Sequence, residues 1–169
     1  MTKYRKNCIV FITDKLGYHC GGCTTINYEL CIGLRQVVGA DTIVVALVIN
    51  CDPKHRIKKL ENQMADVGIK IKYQNIMSTD EGFSDIECDE IYRYLRGLSE
   101  SDMRIVYVGH DIFTGNYAIQ LAEYSRGVSA VCIHTDYDTV EGLKGVNREG
   151  LIKEQKQRKI IQTADKVCA

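Results

Sequence analysis

Apolar residues gather in five short runs, at residues 8–13, 42–50, 69–73, 105–109 and 130–134, all rich in β-branched side chains. Several runs are nearly continuous rather than alternating, as expected of strands buried on both faces of a parallel sheet. Between them the pattern shifts to helical spacing. Ile26, Leu30, Leu34 and Val38 recur at every fourth position with Gly39 as a stop, and Ile57, Leu60, Met64 and Val67 form a second stripe before Gly68. Ser84-Asp85-Ile86-Glu87 fits a capping box that opens a helix through about Leu95. Ala118, Ile119, Leu121 and Ala122 mark a helix after Thr114, and a charged helix is expected over about 149–164.

Strands alternating with helices predict an α/β fold, a doubly wound parallel sheet of Rossmann-like type with right-handed crossovers. Lys166-Val167-Cys168-Ala169 reads as the opening of a sixth strand. Internal repeats and linker-like tracts are absent from the sequence, and Pro53 is its lone proline, so residues 1–169 are expected to form one domain.

The charge balance narrows the function classes. Twenty-two Lys+Arg offset 22 Asp+Glu, which argues against a domain-wide basic field for nucleic acid or anionic membrane. The longest apolar run, residues 43–49, is far short of the roughly 20 residues a spanning helix needs. The N-terminal apolar stretch stops at Thr13-Asp14, too soon for a secretory signal, so a cytoplasmic protein is expected. Its eight cysteines then read as reduced thiols, several of them small hydrophobes beside strands, rather than a disulfide framework.

Ligands of open α/β sheets bind beyond the carboxyl ends of the strands. Three segments converge there. The first is the loop Gly17 to Thr25, where Gly21 and Gly22 allow close approach of backbone N–H groups to a phosphate or sugar at a helix N-terminus. It matches neither the dinucleotide glycine fingerprint nor a phosphate-binding P-loop. Cys20 and Cys23 form a CxxC in the same loop; with His19 it makes a poor tetrahedral zinc site, and without a second CxxC the pair reads mainly as small residues in a tight turn. The second is Gly109-His110-Asp111-Ile112-Phe113-Thr114-Gly115, a His-Asp pair leaving strand four, with a helix-capping turn at Thr114 as the bland alternative. The third is Ile133-His134-Thr135-Asp136-Tyr137 at the end of strand five. Asp52 near strand two and the basic residues Lys153, Lys156, Arg158 and Lys159 are expected to be ordinary solvated groups.

Together these segments resemble the N-terminal half of a GT-B glycosyltransferase of the retaining family-four type. The carrying residues are the Gly21-Gly22 loop, residues 109–115, residues 133–137, and the closing Lys156-Gln157 … Ala164-Asp165-Lys166-Val167. The likeness spans essentially the whole chain. It implies transfer of a sugar from a nucleotide-sugar donor to an acceptor held between two Rossmann-like domains, with no cofactor and no metal. Gly21 and Gly22 would lie against the donor phosphate and sugar, His134 at the reacting sugar, and Asp111 with His110 toward the acceptor; Asp136 and Tyr137 would join the binding lip. The sequence departs from the family's pattern at Thr135-Asp136, where a second His often stands. The family's C-terminal domain, which holds the nucleotide, lies outside the sequence, so an acceptor-side half inactive without that partner domain is expected. The rivals are a stand-alone sugar- or nucleotide-binding or sensor module without turnover, and a thiol redox protein using Cys20 and Cys23.

Overall fold

In the computed structural model, residues 6–16, 22–49, 57–76, 82–99, 102–135 and 147–168 are described. The apolar runs become parallel strands: β1 (Lys6–Thr13), β2 (Thr42–Ile49), β3 (Ile69–Gln74), β4 (Met103–His110) and β5 (Val128–Cys132), with β6 (Lys166–Cys168) as the short sixth. They form one six-stranded sheet in the order β3-β2-β1-β4-β5-β6, and every pairing is parallel. This order places the switch point between β1 and β4, whose carboxyl ends open the crevice used by doubly wound folds.

The helices are α1 (Gly22–Val37), α2 (Lys58–Asp66), α3 (Asp85–Arg96), α4 (Asp111–Ser125) and α5 (Asn147–Thr163). Strand side chains alternate between two apolar layers. Val44, Ala46, Val48 and Val108 pack with Tyr28 and Cys31 of α1 and Leu60 and Met64 of α2. Val10, Ile12, Val45, Leu47 and Tyr107 pack with Ile91 and Leu95 of α3 and Leu121 of α4 on the other face. Val131, Ile119 and Ile160 join α4, α5 and β5 in a smaller cluster. Central strands buried on both faces account for the near-continuous apolar runs. Among the described residues, no helix is long and apolar enough to cross a membrane.

Two sequence expectations are corrected. The buried face of α1 carries Thr24, Asn27, Tyr28 and Cys31, whereas Leu30 of the expected stripe is exposed and Ile26 and Leu34 are half-buried. A strict four-residue spacing drifts around a helix of 3.6 residues per turn, so Ile26 to Val38 cannot stay on one face. The helix after β4 starts at Asp111, not beyond Thr114; Thr114 Oγ1 accepts a 2.8 Å hydrogen bond from the His110 backbone N–H.

The capping box forms as read. Ser84 Oγ accepts from the Glu87 N–H at 3.3 Å, and the Glu87 carboxylate accepts from the Ser84 N–H at 2.7 Å. Ser84→Ala is expected to lower stability by about 1 kcal/mol, read as a lower urea midpoint at unchanged m-value.

Candidate functional site

The carboxyl end of β4 is made by backbone packed on backbone. A Cβ at Gly109 would sit 2.8 Å from Gly115 Cα and closer still to the Thr114 carbonyl oxygen, so the strand turns straight into α4 only because residue 109 lacks a side chain. Two positions on, Asp111 takes a φ of 44°, a left-handed conformation that Asp tolerates better than most side chains. This tight junction puts His110 and Asp111 side by side at the sheet edge, His110 reaching α1 and Asp111 reaching α5.

His110 is 1% exposed and both its ring nitrogens are engaged. Asn27, on the buried face of α1, donates from Nδ2 to the Ile12 carbonyl of β1 at 2.8 Å, which leaves Oδ1 facing His110 Nε2 at 2.9 Å. An amide oxygen only accepts, so this network assigns the proton of His110 to Nε2 and leaves Nδ1 with its lone pair. Nδ1 lies 2.7 Å from Nε2 of His134, whose ring is nearly parallel at 18°. His134 therefore donates from Nε2 to the bare Nδ1 of His110. Burial pushes the His110 imidazole down to about 4, with the neighbouring His134 adding to the effect.

Asp111 is fully buried, and its carboxylate is a latch. Oδ1 accepts from the His134 backbone N–H at 3.1 Å and from Gln157 Nε2 of α5 at 2.9 Å; Gln157 also donates to the Thr135 carbonyl at 2.8 Å. The first residues after β5 are thus held from below by α4 and from the side by α5. His134 itself is exposed on the rim.

The structure therefore brings His110, Asp111 and His134 into one hydrogen-bonded cluster. Gly22 opens α1, which carries Asn27 to His110 and has no acidic residue in its first turn. Gly21, Asp136, Tyr137, Asp52, His19 and Cys20 lie outside the described residues, as does the side chain of Cys23, which falls in the first turn of α1. Lys153 and Arg158 pair with Glu149 and Glu154 along α5, as solvated groups do. Asn27 and Gln157 are the cluster members not singled out as site residues by sequence reasoning. The available signal was a polar side chain on a helix face that must be buried, three residues past Thr24 for one and three before Ile160 for the other.

The family described as "GT4-conflict: Family 4 Glycosyltransferase in conflict systems" matches residues 10–169. No curated protein matches the chain. A solved structure, the crystal structure of a protein of unknown function, VPA0982, from Vibrio parahaemolyticus RIMD 2210633, is 14% identical and aligns over 100% of this chain and 96% of its own, with a TM-score of 0.44.

Proposed function

The chain belongs to the family 4 glycosyltransferases of conflict systems, and from that premise we propose that it supplies the acceptor-side half of a transfer from a nucleotide-sugar to an acceptor hydroxyl. In that reaction the bond from the anomeric carbon to the diphosphate breaks, the acceptor oxygen takes its place, and the acceptor proton leaves with the nucleoside diphosphate. The observation that carries the proposal is the exposed His134 ring on the rim, held through Nε2 by His110 and at its backbone by the Asp111 latch, and so placed to meet a sugar hydroxyl. Fixed polar groups of this kind stabilise a transition state without reorganising when charge develops. Asp111, Gln157 and Asn27 act through His134 and His110 and are positioning residues. Backbone N–H groups at the start of α1, opened by Gly22, suit the departing phosphate through the positive end of the helix, a role the family resemblance extends to Gly21. A partner domain holding the nucleotide completes the site.

The test is release of nucleoside diphosphate by the full natural protein supplied with UDP- and GDP-sugars. His134→Ala is expected to cut turnover about 100-fold, the usual scale for removing one positioned polar contact at a reacting centre. His110→Gln should lower turnover less and alter its pH profile. Calorimetric binding of a nucleotide-sugar without diphosphate release would instead establish a binding module.

A further inference from the structure

The sheet register aligns a second set of donors at the same edge. His110 on β4 pairs directly with Cys132 on β5, and Cys132 pairs directly with Cys168 on β6. Directly paired residues of parallel strands point to the same face, so one transverse row reads imidazole, thiol, thiol. His134 follows Cys132 by two residues and closes over the row through its contact with His110. The ligand atoms of His110, Cys132 and His134 all lie within 4.8 Å of one another, and Cys168 stands outside that group but beside Cys132 in the register.

We propose that His110, Cys132 and His134 bind a Zn²⁺-class divalent cation, with Cys168 as the adjacent fourth donor. Mixed imidazole and thiolate ligands select zinc over the hard cations that prefer oxygen. Metal–nitrogen bonds of about 2.0 Å and metal–sulfur bonds of about 2.3 Å put the donors of a tetrahedron roughly 3.5 Å apart. The cluster reaches this by small shifts of exposed His134 and half-buried Cys132. The remaining nitrogen of His110 already donates to the Asn27 carbonyl oxygen, the outer contact that fixes the tautomer of a metal-bound histidine. A coordinating thiol loses its proton, so binding should release protons from Cys132. The donors are those of the imidazole pair described above, so metal and sugar compete for one rim. The metal site itself does not depend on the glycosyl-transfer proposal.

Cobalt(II) titration of the whole chain, in a phosphine reductant, reads this site by the charge-transfer band of a thiolate–cobalt bond and the strong visible bands of tetrahedral cobalt. The expected result is one equivalent bound per chain and displaced by zinc. Binding should be retained in the Cys20→Ser/Cys23→Ser double variant. Cys132→Ser should remove the site, and Cys168→Ser should about halve the charge-transfer intensity. His134→Ala, at an exposed position, should weaken binding at least 10-fold. Absence of the bands, their survival in Cys132→Ser or at full affinity in His134→Ala, or their loss in the Cys20→Ser/Cys23→Ser variant would overturn the proposal. Unchanged intensity in Cys168→Ser would remove that residue from the ligand set.

Discussion

Gly109→Ala is expected to destabilise the chain by at least about 3 kcal/mol, and to do so by breaking the junction that builds the site. The new methyl meets the backbone of Thr114 and Gly115 rather than the tip of a flexible side chain. Relief requires α4 to move away from β4, and α4 carries Asp111, Leu121 and Ala118 into the core. Urea denaturation should show a sharply lower midpoint. Gly33→Ala is the control: its Cβ would meet nothing within 4 Å in the exposed middle of α1, so it should raise stability by about 0.5–1 kcal/mol through helix propensity alone. Equal effects at the two glycines would refute the backbone-contact account of the β4–α4 turn.

The second expected result is acid sensitivity centred on His110. Its imidazole is held at about 4 in the fold, against 6.5 for a free histidine. Above the higher value neither state is protonated and the residue contributes no pH dependence. As pH falls through the window, the unfolded chain takes up a proton that the folded chain refuses, so stability is lost on acidification and levels off below the folded value. Between about pH 7.5 and about pH 4.5 the loss is on the order of 2–3 kcal/mol. His110→Gln should abolish this component, leaving only the loss caused by carboxylates such as Asp165, which hydrogen bonds from Ser129 hold below the usual carboxylate range. Parallel stability–pH curves for the wild type and His110→Gln, measured by urea titration at each pH, would show that His110 is not the acid-labile group.

Both results start from features with different visibility in the sequence. The strands were legible because central strands of a parallel sheet must be apolar on both faces, and the order of strands and helices leaves few topologies. The capping box was legible because its chemistry is local: Ser84 and Glu87 are one turn apart. His110 and His134 were legible as candidates because doubly wound sheets collect chemistry at strand ends. Their contact was not, since it depends on β5 stopping at Cys132 and on Asp111 capturing the next backbone N–H. The face of α1 was misjudged because Ile26, Leu30 and Leu34 outweigh Asn27 in any hydropathy pattern, although Asn27 is the residue that must be inside. The row of His110, Cys132 and Cys168 is a matter of strand register, which no spacing along the chain reveals.

The contacts from the Ile12 carbonyl through Asn27 and His110 to His134 all run in one sense, each link offering a hydrogen to the one before it. A main-chain oxygen in the middle of the sheet therefore dictates which nitrogen of a surface ring donates. Without the Asn27 contact, the second link, the His110 ring would be free to exchange the roles of its two nitrogens.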